Sequence, residues 1–196
     1  MSRDREPGLL ESLLADVEWN AGELPGVDDH DPEGWRASRL DVKALVSCLP
    51  RPGFHAAVLY RLSRWFRKRG LKPVSFGLQL VNQALTGAEI SHNADIGPGL
   101  RILHPTGVYI GSDVRIGFRS TFNQGSAVQK NLNEGSGNPD CGNYLAMSPG
   151  AKVLGGVRVG HRVWVGPNST AVADIDDDTT VLGVPARPLP PDEEMP

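Results

Sequence analysis

Residues 90–117 read ISHNADIGPGLRILHPTGVYIGSDVRIG, and within them Ile90, Ile96, Ile102, Val108 and Val114 fall at six-residue intervals. A helix returns an aliphatic side chain to one face every three or four positions, and a half-buried strand every second position. A sustained six fits neither. It is the period of a parallel sheet wound into a coil, with one short strand and one corner per six residues. Residues 147–171, MSPGAKVLGGVRVGHRVWVGPNSTA, resume the beat at Met147, Val153, Val159, Val165 and Ala171. Pairs such as Val108/Ile110, Val114/Ile116, Val157/Val159 and Val163/Val165 add a local period of two, which points both members into a common interior. Gly97, Gly111, Gly117, Gly160 and Gly166 each follow an aliphatic residue, which predicts sharp corners with positive φ at the glycines. The beat fails at Ser120 and Ser126. It is lost from Gln129 to Asn143, a Gly- and Asn-rich stretch expected to loop out of the coil. Ile96 and Met147 lie 51 positions apart, three more than a multiple of six, so this insertion also resets the register.

Outward from this region the composition changes: all six isoleucines lie between Ile90 and Ile175. Residues 54–86 read as a helical pair. Phe54, Val58, Leu62, Trp65 and Phe66 make one apolar stripe, Arg64, Arg67, Lys68 and Arg69 complement the negative end of the first helix, and Gly70 is placed to cap it. Further upstream, Leu9, Leu10, Leu13, Leu14 and Val17 predict a short amphipathic helix, Asn20 to Trp35 a loop, and Ser38 to Ser47 a second short helix ended by Pro50 and Pro52. The division is an α-helical N-terminal domain over 1–88 and a β coil over 89–187 with a protruding loop at 129–143. A disordered tail, PLPPDEEMP, follows over 188–196.

The chain has 196 residues, 39% hydrophobic and 22% charged, ordinary for a soluble globular protein. A net charge of −3 lacks the basic footprint of a nucleic-acid binder. No apolar run approaches the ~18 residues of a membrane span. The opening MSRDREPGLL carries both signs of charge and does not read as a signal peptide. Cys48 and Cys141 are isolated and without metal-ligand spacing, which points to a reduced cytoplasmic chain.

The segments GFHAAVLYRLSRWFRKRG (53–70), GAEISHNADIGPGLRILHPTGVYIG (87–111), SPGAKVLGGVRVG (148–160) and GVPAR (183–187), in this order, resemble the serine O-acetyltransferases, members of the hexapeptide-repeat acyltransferases. The resemblance covers about Phe54 to Arg187. It implies a mainly β fold with an α-helical N-terminal part, the β portion being a left-handed parallel β-helix. It also implies a homotrimer or a dimer of trimers, acetyl-CoA as co-substrate between neighbouring prisms, and no metal. The family's catalytic base falls on His104 and its acidic partner, usually Asp, on Glu89. Those types suit the chemistry: an imidazole takes the proton of an attacking hydroxyl, and a carboxylate orients the ring. Coenzyme A contacts fall on Ser148, Gly150, Ala151, Gly166, Ser169 and Arg187.

The chain departs from the family in four places. Leu103 replaces the family's Asp before the catalytic His, and Gly137-Asn138 replaces the Arg-His pair that reads the substrate carboxylate. Ala127-Val128-Gln129-Lys130 stands where the family has a glycine-rich oxyanion turn. Pro149 and Pro167 replace two alanines near coenzyme A and carry no N–H. The first two changes remove charges that would recognise free serine, so the expected acceptor is a different small-molecule hydroxyl or amine, on a serine-like compound, a sugar or a biosynthetic intermediate, with the 129–143 loop as the specificity element. Two other functions compete with the acyltransferase: an inert hexapeptide-repeat trimer acting as a binding or scaffold subunit, and a zinc enzyme. The coil histidines His92, His104 and His161 show no matching pattern for zinc.

Overall fold

The computed structural model describes residues 7–22, 42–130 and 137–190, and in it the period of six becomes a three-sided prism. With strands numbered in chain order, face A stacks β1 (Glu89–Ile90), β4 (Tyr109–Ile110), β7 (Ala127–Gln129), β10 (Lys152–Leu154) and β13 (Thr170–Ala171). Face B stacks β2 (Asp95–Ile96), β5 (Arg115–Ile116), β8 (Asp140–Cys141) and β11 (Arg158–Val159). Face C stacks β3 (Arg101–Ile102), β6 (Thr121–Phe122), β9 (Ala146–Met147), β12 (Trp164–Val165) and β14 (Thr180–Gly183). All these pairings are parallel. A last strand, β15 (Ala186–Pro188), folds back antiparallel on β14.

The inward residues stack like on like and are fully buried. On face A, Ile90 pairs with Ile110 twenty positions on, Ile110 with Val128 eighteen on, Val128 with Val153 twenty-five on, and Val153 with Ala171 eighteen on. A regular coil therefore takes eighteen residues. The two extra residues of the first coil lie between Ile102 and Ile110, and the seven extra of the third lie between Val128 and Cys141. This corrects the sequence reading. The beat does not fail at Ser120 but moves two places at residues 103–109 and continues through Ile110, Ile116, Phe122 and Val128, all buried. Val108 and Val114 disguised the slip because the residue two before each main position also points inward. The excursion is also shorter than 129–143, since Gln129 closes β7 and Asp140 opens β8; residues 131–136 lie outside the described part.

The corner glycines are corrected too. Gly97, Gly111, Gly117, Gly160 and Gly166 are not the residues with positive φ. A Cβ on Gly97 would lie 2.7 Å from Phe118 N, and one on Gly160 2.5 Å from Asp177 N, so these glycines are dictated by the coil above. Positive φ falls two residues later and is often carried by ordinary side chains: Arg119, Tyr144, Arg162 and Asp178 on one edge, Gly107, Gly125, Gly150 and Asn168 on another.

On face B the outward residues alternate in charge from rung to rung. Asp95 pairs with Arg115, Arg115 with Asp140 and Asp140 with Arg158. Arg158 N–H then reaches Asp174 Oδ1 at 2.8 Å, and Arg64 closes the lower end on Asp95. Opposite charges on adjacent strands support the pairing.

The helices α1 (Leu9–Ala21), α3 (Pro52–Lys68) and α4 (Lys72–Thr86) pack against the first coils, and α2 (Val42–Cys48) packs on α1 and α3. Pro52, expected to follow a helix end, instead opens α3 in its first turn, where the missing N–H costs nothing. Gly70, with φ of 80°, follows α3 as expected of a cap. The predicted loop from Asn20 overlaps the end of α1, and residues 23–41, with the rest of that loop and the start of the second helix, lie outside the described part. Asp16 anchors the assembly. Its carboxylate accepts from Arg61 Nε at 2.8 Å and NH2 at 3.0 Å, and from the N–H groups of Gly99 and Leu100 at 2.9 and 2.7 Å. Arg61 also donates to the carbonyls of Ile96 and Gly97. The tail expected from Pro188 stays on the sheet at first, since Pro188 ends β15 and Leu189 N–H donates to Thr180 O at 2.7 Å. Residues 191–196 lie outside the described part.

Candidate active site

One edge of the prism, where face C turns into face A, collects most of the residues singled out by sequence. Its corners run upward from residues 103–107 through 123–125 and 148–150 to 166–168. Each is stitched to the one beneath by a single backbone bond: Gly107 N–H to Gly87 O, Gly125 N–H to Thr106 O, Gly150 N–H to Gln124 O and Asn168 N–H to Pro149 O, at 2.9–3.0 Å. The lowest corner carries the two extra residues. That added length projects His104, which is exposed and makes no side-chain hydrogen bond among the described residues.

Glu89 lies at the foot of the same edge, two residues after the Gly87 carbonyl that holds the His104 corner. It is half-buried on β1 in register with Tyr109, and its Oε2 accepts from Gln83 Nε2 at 3.2 Å. The structure brings the two residues to one edge without joining them by a hydrogen bond. Leu103 extends β3, donating its N–H to Phe122 O, and its side chain is 38% exposed beside His104. Asn138 is elsewhere. With Tyr109, Ser112, Gln129 and Lys130 it lines a cleft of about 360 Å³ towards the far side of face A. Within one chain Leu103 and Asn138 share no site.

The residues matched to coenzyme A contacts sit on the upper corners of the His104 edge, but several of their groups are engaged. Ser148 Oγ accepts from Trp164 Nε1 at 2.6 Å, and Ser169 Oγ accepts from Gly183 N–H at 3.0 Å. The N–H groups of Ser148, Gly150, Ala151, Gly166 and Ser169 all donate to backbone carbonyls. Arg187 is exposed on β15 at the top. Backbone N–H groups without a partner among the described residues occur on this edge at His104 and Gln124, the positions that Pro149 and Pro167 occupy on the coils above. Ala127-Val128-Gln129, matched to the oxyanion turn, is strand rather than turn, with Val128 in the core. Sequence reasoning passed over Gln124 and Trp164. The signal for Trp164 was a large aromatic residue in an outward strand slot.

His92, His104 and His161 stand on three different edges. His92, expected as a surface corner, is half-buried against α4, its N–H donating to Gln79 Oε1 at 3.2 Å. His161 Nδ1 accepts from Asn143 N–H at 3.0 Å. Among the described residues no group of three His, Cys, Asp or Glu side chains is placed to hold a metal. Nor, among the described residues, is any helix long and apolar enough to cross a membrane.

No protein-family model matches the chain. It is 34% identical over 137 residues to the serine acetyltransferase of Synechococcus elongatus, covering 69% of this chain and 56% of that protein, so the match spans little more than half of the cyanobacterial enzyme. It is 34% identical over 142 residues to the Helicobacter pylori serine acetyltransferase, covering 72% of this chain and 83% of the relative. The Mycobacterium tuberculosis enzyme of the same name is 30% identical over 167 residues, covering 85% and 70%. Among solved structures, the Neisseria gonorrhoeae serine acetyltransferase superposes with a TM-score of 0.78 at 25% identity, over 96% of this chain and 68% of that one. A serine acetyltransferase solved in complex with CoA gives 0.75 at 25% identity, over 94% and 71%. The shared architecture is the left-handed parallel β-helix. With its order of helices and strands, its period of eighteen per coil and a histidine projected from an enlarged corner, the chain belongs to the serine acetyltransferase family of hexapeptide-repeat acyltransferases.

Proposed function

We propose that the protein is a CoA-dependent O-acyltransferase that carries an acetyl group from acetyl-CoA to a hydroxyl of a small metabolite, with His104 as general base. The observation that carries this reading is the lengthened corner that presents His104, exposed and without a side-chain hydrogen bond among the described residues, at the foot of a column of stitched corners. The imidazole takes the hydroxyl proton as the oxygen attacks the thioester carbon. The tetrahedral oxyanion collapses, the C–S bond breaks, and the coenzyme A thiolate recovers the proton from the imidazolium. Unpaired N–H groups at His104 and Gln124 are available to the oxyanion. Glu89 orients the ring once substrate closes the site. Coenzyme A lies along the edge past Ser148, Gly150, Ala151, Gly166 and Ser169 towards Arg187. The helical base, residues 1–88, supports a catalytic coil over 89–187.

The acceptor is a hydroxyl compound other than free serine. An apolar Leu103 stands beside His104, and the loop offers the neutral Asn138. A site without those charges gives an amino acid no advantage. Asn138 reaches His104 through a neighbouring copy, in a homotrimer or a dimer of trimers. The support is α4, whose large apolar residues face outward: Phe76, Leu80, Val81 and Leu85, the last 74% exposed. Both cysteines are free and buried, in keeping with a reducing, cytoplasmic setting.

The test is thiol release from acetyl-CoA with serine and with alcohols lacking an α-amino group, run beside His104→Ala. Turnover is expected to favour an alcohol over serine and to fall about 100- to 10,000-fold in the variant. Equal turnover by the variant removes His104 as the base, and a clear preference for serine removes the acceptor assignment.

A further inference from the structure

We infer that Trp164 forms an apolar wall of the acyl-CoA groove and holds the pantetheine arm where the backbone of this chain offers no hydrogen bond. The inference rests on the proposed reading of the His104 edge as the coenzyme A groove. On that edge the second residue after the face C strand has an N–H without a partner among the described residues at His104 and at Gln124, but is proline at Pro149 and Pro167. The upper half therefore has no donor at that position for the arm's amide carbonyls. An apolar surface can take the place of that bond.

Trp164 precedes Pro167 by three residues and bonds to Ser148, the neighbour of Pro149. It is the outward residue of β12, in register with Ala146 on the coil below and Thr180 above. The indole reaches down past the small Ala146 side chain to donate Nε1–H to Ser148 Oγ at 2.6 Å, yet the residue remains 45% exposed. The bond fixes the ring without covering it. Among the described residues four large hydrophobic side chains are exposed on the coil, namely Leu103, Trp164, Val172 and Val184, and three of them flank this edge. Trp164 lies three strand spacings, about 14 Å, above the His104 corner, a height that an extended pantetheine arm passes on its way from the thioester. The arm's gem-dimethyl group and amide planes suit the face of an indole. Ser148 is then a positioning residue that holds the ring rather than a direct ligand of coenzyme A.

Binding of coenzyme A, of pantetheine and of 3′,5′-ADP is measured by titration calorimetry on the full chain and on Trp164→Ala, Trp164→Phe and Ser148→Ala, with thermal melts as a check on folding. Trp164→Ala is expected to weaken coenzyme A and pantetheine on the order of tenfold, with 3′,5′-ADP unchanged. KM for acetyl-CoA should rise in step while kcat at saturation stays within about threefold. Trp164→Phe should recover most of the loss, and Ser148→Ala should fall between. Unchanged coenzyme A binding in folded Trp164→Ala overturns the inference, and so does a loss confined to 3′,5′-ADP, which would place the nucleotide on the ring. A wild-type protein that does not bind coenzyme A overturns the groove itself, a failure visible before any variant is made.

Discussion

Helices α3 and α4 are neighbours of similar length, both amphipathic, and they are oriented in opposite senses. Helix α3 buries Phe54, Ala56, Ala57 and Tyr60, while α4 buries Ser75, Asn82 and Thr86 and exposes its aliphatic residues. Each has one glycine that makes the contrast sharper. A Cβ on Gly53 of α3 would sit 1.8 Å from Ile102 O, whereas one on Gly77 of α4 would have nothing within 4 Å. The first helix is finished by its own chain, and the second keeps its large apolar residues outward. Amphipathicity identifies two faces without saying which one turns inward.

The strongest way to break the contrast is on the α3 side. Asp16→Ala leaves the Arg61 guanidinium and two coil N–H groups buried without their acceptor, and should cost about 3–5 kcal/mol in chemical denaturation. Burial works against the Arg61 charge, but Asp16, joined by Tyr60 and Asp95, more than offsets it and the pKa is raised. A loss under about 1 kcal/mol would mean that α3 is not anchored through this pair.

Charging the α4 face should act on assembly instead. If the proposed assembly forms, Val81→Glu with Leu85→Glu is expected to convert it to monomer by light scattering, with the monomer's unfolding free energy changed by about 0.5 kcal/mol or less, as for ordinary surface positions. An unaltered oligomer would clear α4 of any interface role.

A third experiment uses pH. The Tyr60 hydroxyl donates to Ala94 O at 2.9 Å and accepts from Ile96 N–H at 3.2 Å, and burial pushes its pKa above the ordinary 10.0. The buried form is neutral, so the unfolded chain loses its phenolic proton first. The Tyr60 contribution to stability is complete below pH 10 and falls as pH rises beyond it. In the coil, burial pushes the Cys141 thiol from 9.0 up to about 12, so its share of the loss begins near pH 9. Tyr60→Phe should flatten the decline above pH 10 and leave the Cys141 portion, read from denaturation midpoints between pH 8 and 11. An identical slope in the variant would mean that the phenol does not titrate differently on unfolding.

The smallest effect sharpens the α4 side. Gly77→Ala should stabilise an isolated monomer by about 0.5–1 kcal/mol through helix propensity. If another chain packs closely there, the same change weakens assembly, so monomer melting and sedimentation should move in opposite directions.

The coil was legible in the sequence because its inward aliphatics repeat, and the enlarged His104 corner was not, because Val108 and Val114 kept time across the slip. Their burial two residues before the main beat makes a shift of two nearly silent. The glycines were found but explained by the wrong cause, since contact between successive coils is invisible along the chain. Asp16 went unnoticed because a lone acid on a helix reads as solvated until Arg61, 45 residues away, is placed beside it. At the candidate site His104 and Glu89 came from the family likeness. The engagement of the Ser148 and Ser169 hydroxyls depended on partners in other coils, which no local pattern records.

The alternating rungs of face B restrict how such a chain can lengthen. Asp95, Arg115, Asp140, Arg158 and Asp174 keep opposite signs on adjacent rungs only while the coils between them stay in order. Gain or loss of one whole coil would satisfy the aliphatic interior and still set acid upon acid or base upon base, which is unfavourable between adjacent strands. Two coils at once would restore the alternation. The prism therefore carries a parity: its core permits any number of floors, and its outer charges permit changes only in pairs.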